Sequence, residues 1–269
     1  VDALAVYLEK DHHFKYATVV HCDTPSGVLN DIARICPLLK SYGILTVVDS
    51  VSAMFGEEVR VDDFQIDLLC GGSQKVVSAP PGLTFVTVSD AAMKAMEERK
   101  TPIASFYANI LVFKDYYKNL WFPYTMPISD IYGLRAALEN VKADTERYDR
   151  HKKYGEMTRT AVQKMGLSLY LENGYSNTVT VIRIPEGMTA ADILETMEYL
   201  NHMDIQGIKL QLLHVLRGTD LAADYEKGLF QTYERDEYIS LLINCLEHLR
   251  PDMVIHRITG DGPKDLLIA

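Results

Sequence analysis

The sequence predicts an α/β domain built on a mainly parallel sheet. Two observations carry that expectation. Short, continuous apolar runs alternate with amphipathic helical patterns, and polar residues suited to chemistry cluster directly after the runs. The runs are YATVVH (16–21), ILTVVD (44–49), IDLLCGG (66–72) and LTFVTVS (83–89). The 44–49 run has the character of a parallel strand covered on both faces.

Each element follows in order. The chain opens on Val1 rather than Met, and VDALAVYLEK reads as a helix already under way. After the first run, Thr24-Pro25-Ser26-Gly27 is a turn signal. Val28, Leu29, Ile32, Ile35, Cys36 and Leu39 then recur at helical spacing until Tyr42-Gly43 stops the pattern. A Gly/Ser/Pro segment divides the 66–72 and 83–89 runs. Residues 127–166 form a long helical stretch with a polar face, and NTVTVIRI (177–184) reads as a strand of a smaller domain. The chain closes on KDLLIA, without a polar tail, so both ends are expected to be cut from something longer.

Composition narrows the function classes. A chain of 269 residues, 48% hydrophobic and 24% charged, suits one large domain or two modest ones with a real core. A formal charge of −10 speaks against a nucleic-acid groove or a surface for anionic lipid. Cys22, Cys36, Cys70 and Cys245 share no CxxC spacing, so neither a metal site nor a disulfide framework is expected. With no secretory leader and no apolar run near about eighteen residues, the expectation is a cytoplasmic protein with no membrane span.

In open parallel sheets, ligands bind beyond the carboxyl ends of the strands. Three polar groups fall there: His21-Cys22-Asp23-Thr24, Asp49-Ser50-Val51-Ser52 and Gly71-Gly72-Ser73-Gln74-Lys75. Asp49, ending an apolar strand, is placed to pair with a buried cation, although an N-cap would explain it equally. Lys75 lies on a small-residue loop closed by Ala79-Pro80-Pro81-Gly82, where an amine approaches a ligand closely. Taken alone, such a lysine faces solvent and His21 is a hydrogen-bonded strand-end residue. An acid for a pyridinium nitrogen and an amine for an aldehyde carbon are what pyridoxal phosphate (PLP) chemistry needs.

The blocks HCDTPSGVLNDI, VVDSVSA, IDLLCGGSQKVVSAPPGLTFVTVS and GYSNTVTVIRIPEG, in that order, resemble class V, fold-type-I PLP-dependent aminotransferases. GSQK followed by APPG is similar to the lysine motif of the alanine–glyoxylate/serine–pyruvate branch. The resemblance implies Lys75 as the lysine that bonds the cofactor, with Asp49 as partner of the pyridine nitrogen. It further implies that Thr24 and Gln74 bind the cofactor, that Val51 packs on the ring face, and that Thr125 reaches the phosphate of a partner subunit in a homodimer. Phe122 stands where the family often has an aromatic hydroxyl. The implied activity transfers an amino group from a small amino acid of the alanine or serine type to a 2-oxo acid such as glyoxylate or pyruvate.

Two departures qualify that expectation. The family's Gly/Ala-rich phosphate turn and its ring-stacking aromatic would precede the HCDTPSG block, and the substrate-binding arginine would end its small domain; this sequence has no match to them. From about residue 194 the sequence instead resembles the C-terminal half-barrel of elongator-like radical-SAM proteins, without that family's cysteine triad. IKLQLLHV (208–215) and MVIHRI (253–258) are its expected strands, around helices near 219–227 and 234–249. The expected division is a PLP-binding large-domain portion (1–125), an interdomain helix with the start of a small domain (126–193), and a radical-SAM-like piece (194–269). The leading expectation is a PLP-dependent transaminase impaired by truncation. The alternatives are a non-catalytic chimeric fragment and a radical-SAM-related fragment.

Overall fold

A computed structural model describes residues 1–183, 187, 189–203, 205, 207–212, 214–260 and 264–269. The chain divides into two compact units, Val1–Arg183 and Ile184–Ala269. Among the described residues, no helix is long and apolar enough to cross a membrane.

The first unit opens with helix α1 (Asp2–Lys10), then strand β1 (Tyr16–Val20) and a short antiparallel hairpin, β2 (Cys22–Asp23) and β3 (Val28–Leu29). Helix α2 (Ile32–Ser41), β4 (Leu45–Asp49), β5 (Leu68–Gly72), β6 (Thr84–Val88) and α3 (Asp90–Glu97) follow. The four-stranded sheet has the order β1-β4-β5-β6, with β1, β4 and β5 parallel and β6 antiparallel to β5. This is the mainly parallel α/β architecture expected.

The helix expected from Val28 begins four residues later, at Ile32. Asp31 supplies its N-cap, accepting from the Arg34 N–H at 3.1 Å, while Val28 and Leu29 pair with the hairpin strand instead. Gly43 takes φ +73° just past the helix end. Helix α2 buries Ile32 and Cys36 against Val48 and Leu69 of the sheet and Ile66 just before β5. Leu39 joins Leu8 and Ile44 in an adjoining cluster. Strand β4 departs from full cover on both faces: Thr46 and Val48 are wholly buried, but Leu45 and Val47 only partly. Strand alternation turns the first pair to the α2 side and the second to the less covered side.

Beyond a 3-10 turn (Ile110–Phe113) lie α4 (Tyr116–Asn119), α5 (Ile128–Ala143) and α6 (Arg147–Lys164). The single helical stretch expected over 127–166 is therefore two helices. Asp144 breaks it, because its carboxylate takes the Arg150 guanidinium and its carbonyl takes Arg147 Nη1 at 3.1 Å. The strand expected at 177–184 forms no named strand among the described residues. It makes an isolated antiparallel bridge, Leu169 with Ile182, because the chain upstream is already engaged with the β2–β3 hairpin at Tyr175. Ile184 of that expectation lies outside the described residues.

The second unit holds α7 (Ala190–Asn201), β7 (Gly207–Lys209), α8 (Asp220–Glu226), α9 (Arg235–His248) and β8 (Val254–Arg257). β7 and β8 pair in parallel as a separate two-stranded sheet. Both expected helices are present, but the expected 208–215 strand is only the three residues of β7; its Leu213 lies outside the described residues. Met197, Cys245, Leu249 and Met253 form the core of this unit.

Candidate active site at the strand ends

Because β1, β4 and β5 run in parallel, their carboxyl ends share one rim. Val20 pairs with Asp49, and Asp49 with Cys70, so β1 and β4 end level while β5 runs on to Gly72. Backbone bonds extend the alignment one step past the strands: His21 N–H donates to Asp49 O at 2.8 Å, and Ser50 N–H to Cys70 O at 2.9 Å.

Asp49 ends β4 with its side chain exposed at the rim. One oxygen accepts from the Val51 N–H at 3.0 Å, so the carboxylate caps the turn that follows and still faces outward. The capping and ligand readings of this residue are thus compatible. Burial first, and then the Asp49 charge, raise the Cys70 thiol above its ordinary value, which keeps it protonated and unreactive. Beside Asp49, Ser50 is fully buried and shares a 3.1 Å hydrogen bond with His21 Nδ1. His21 is only 4% exposed, and burial pushes its pKa down to about 4. It is neutral near neutral pH and serves as a strand-end brace, the blander of the two readings available from sequence.

Thr24 sits on the β2–β3 turn, exposed, and its Oγ1 meets Ser52 Oγ at 3.0 Å. Two hydroxyls from separate loops therefore adjoin at the rim, with half-buried Val51 between Asp49 and Ser52 in sequence. On β5 the chain leaves the sheet at Gly72, and Gln74 folds back over it: a Cβ at Gly72 would lie 2.7 Å from Gln74 Oε1. The loop bearing Lys75 is held by Ser73. Its buried hydroxyl donates to Pro80 O at 2.5 Å and accepts from the Leu83 N–H at 3.3 Å. Ala79 N–H closes the loop onto Ser73 O at 2.9 Å, and Lys75 itself is half-buried. Among the described residues no carboxylate pairs with its ammonium group.

Thr24 thus meets the Ser52 turn beyond β4, while Asp49 and Val51 follow the end of β4 and Gln74 and Lys75 the end of the neighbouring β5. Thr125 lies exposed between α4 and α5 and makes no hydrogen bond to the rim among the described residues.

Three supporting residues were not legible beforehand. Ser73 stands in the Gly71–Lys75 string, but nothing local marks it, rather than Ser78, as the hydroxyl that holds the loop. Glu57 is buried and bonded to Ser176 and Asn177, partners 119 and 120 positions away, which no local pattern signals. Asp67 is 1% exposed and accepts from Lys40 Nζ, from Ser89 Oγ at 2.7 Å and from the Thr46 N–H at 3.1 Å. Burial alone would raise its pKa, but these donors, led by Lys40, outweigh burial and hold it below the ordinary value. Asp67 sits at the opposite end of the sheet from the rim and locks β4 to β5.

The family model for class-V aminotransferases matches residues 4–205, and that for the Radical_SAM C-terminal domain matches residues 205–269. An uncharacterized aminotransferase of Methanocaldococcus jannaschii is 37% identical over 191 residues, 70% of this chain and 49% of that protein. A serine–glyoxylate aminotransferase of Arabidopsis thaliana is 34% identical, covering 69% of this chain and 48% of the relative. Among solved structures, an alanine–glyoxylate aminotransferase from Nostoc sp. superposes with a TM-score of 0.68 at 26% identity, over 75% of this chain and 54% of that one. The pyridoxamine–pyruvate aminotransferase of Mesorhizobium loti gives 0.67 at 30% identity, over 73% and 51%. The chain spans about half the length of the relatives it matches.

Proposed function

Since the chain belongs to the class-V aminotransferase family, we propose that the strand-end rim binds PLP and transfers an amino group from a small amino acid of the alanine or serine type to a 2-oxo acid such as glyoxylate or pyruvate. The single observation that carries this reading is the register that sets Asp49 and the Lys75 loop at the carboxyl ends of adjacent parallel strands. The donor set supports the fit: one carboxylate, one amine without a carboxylate partner, a pair of hydroxyls, an amide and an apolar side chain match a ring nitrogen, an aldehyde carbon, a phosphate and a ring face.

PLP, when bound, supplies an electron sink for the carbanion at the substrate Cα. In this reading Lys75 would hold the cofactor through Nζ and would move the proton at the substrate Cα. Asp49 keeps a proton on the ring nitrogen. Thr24, bonded to Ser52, contacts the cofactor, Gln74 contacts its phosphate, and Val51 packs on the ring face. Thr125 reaches the corresponding phosphate of a second copy in a homodimer. The proposed division into 1–125, 126–193 and 194–269 places all six proposed site residues in the first stretch. Relatives named for serine, alanine, aspartate and pyridoxamine as donors, and for glyoxylate and pyruvate as acceptors, support the substrate class.

The experiment is uptake of PLP followed by a half-reaction. The purified chain should turn yellow with PLP, lose that colour on borohydride treatment, and convert bound cofactor to the pyridoxamine form when alanine or serine is added. A chain that takes up no PLP contradicts the proposal.

A further inference from the structure

We infer that Glu57 is a positioning residue for this site: its buried carboxylate clamps segment 174–178 across the loops that carry Thr24, Ser52 and Lys75. The inference rests on the reading of the rim as a PLP site.

Glu57 is 7% exposed, and no cation neutralises it among the described residues. A carboxylate so placed is tolerated only when donors fill its lone pairs. Here every donor comes from two consecutive residues. Ser176 Oγ donates to Oε1 at 3.1 Å, the Asn177 N–H donates to the same oxygen, and Asn177 Nδ2 donates to Oε2 at 3.3 Å. From the other side, Arg159 donates to Ser176 O at 3.2 Å and to Asn177 Oδ1 at 3.3 Å, which turns the Asn177 NH₂ toward Glu57.

The clamped segment bonds the Thr24 hairpin and the Asp49 turn, and through Gly56 of that turn it adjoins the Lys75 loop. Ser176 N–H donates to Gly27 O, and Leu29 N–H to Gly174 O, each at 2.9 Å, which ties down the hairpin bearing Thr24. Glu57 N–H donates to Ala53 O and Met54 N–H to Ser50 O, both at 2.8 Å, so the turn from Asp49 to Glu57 is one bonded unit. Gly56 completes the contact. A Cβ there would lie 2.5 Å from Thr178 Cγ2 and 3.2 Å from Cγ2 of Val76, the residue after Lys75. A stiff, branched threonine cannot give way cheaply. The glycine lets the segment, the Asp49 turn and the Lys75 loop meet.

The test uses the full chain as wild type, Glu57→Ala and Glu57→Gln. PLP affinity and the position of the bound-cofactor absorbance band are measured, together with amide hydrogen exchange over 50–57 and 174–178. Glu57→Ala should weaken PLP binding by about tenfold or more and speed exchange in both stretches. Glu57→Gln keeps the Oε1 acceptor for Ser176 and Asn177, and should restore affinity to within about threefold of wild type. If Glu57→Ala does not fold, Glu57→Asp, whose carboxylate is drawn back by one methylene, is read in the same way. Wild-type affinity and band in the folded Ala or Asp variant would overturn the inference. So would a Gln variant no better than Ala, or exchange that quickens in 174–178 alone. A wild-type chain that takes up no PLP refutes the proposed function instead, and the exchange comparison then decides the clamp alone.

Discussion

His21 and Ser50 bond across adjacent strand ends, Nδ1 to Oγ at 3.1 Å, with both side chains buried. Burial, not this bond, holds the His21 pKa at about 4, against 6.5 for an ordinary histidine. The folded state therefore resists a proton that the unfolded chain accepts. Stability contributed here is complete above pH 6.5 and falls as the pH drops toward 4, by on the order of 3 kcal/mol across the window. His21→Asn keeps a polar atom near Nδ1 but cannot titrate. Denaturant melts at several pH values should show a flatter loss of stability for the variant between pH 6.5 and 4; parallel curves would contradict this.

Asp67 gives the second prediction. Asp67→Ala leaves the Lys40 ammonium, the Ser89 hydroxyl and the Thr46 N–H without their acceptor, and should destabilise the first unit by about 3 kcal/mol or more. Its carboxyl is held below the ordinary value, so its contribution is present above pH 3.8 and lost as the pH falls through the folded-state value. A melting temperature within a degree or two of wild type at neutral pH would show that the cluster is not the brace described.

The buried residue that caps the end of α9 should matter and the helix's exposed face should not. Leu249 is buried with Met197 and Met253, whereas Ile243 is 49% and Leu246 37% exposed. Leu249→Ala should cost about 2–5 kcal/mol, and Ile243→Lys under about 0.5 kcal/mol. A large loss from Ile243→Lys, seen by thermal denaturation, would mean that face is covered in solution.

Much of this was legible in the sequence, for identifiable reasons. Apolar runs fix the existence of β1, β4, β5 and β6, and a Gly-Gly-Ser-Gln-Lys string after such a run fixes where Lys75 stands. The hairpin at Val28 was not legible, because Val and Leu at helical spacing also suit a two-residue strand, and the Asp31 cap decides between them. The break at Asp144 was hidden because its cause is an ion pair with Arg150 across the turn. Glu57 was hidden for the opposite reason: its partners are remote, and the adjacent pair Glu57-Glu58 reads as surface.

Asp49 should affect chemistry more than folding. Its carboxylate is exposed and bonds the Val51 N–H, which an amide oxygen also accepts. Asp49→Asn should therefore fold normally and still take up PLP, while the rate of amino transfer falls by about a hundredfold or more. Stopped-flow absorbance of the half-reaction with alanine checks this, and an unchanged rate would remove Asp49 from the proposed ring-nitrogen contact.

The most direct measurement concerns Lys75. The chain is loaded with PLP, reduced with borohydride, digested and mapped by mass spectrometry, beside a Lys75→Ala variant of matched stability. The account predicts the pyridoxyl mass on the peptide containing Lys75 and no stable label in the variant. A label on a different lysine, or a variant that takes up PLP as the wild type does, would contradict it.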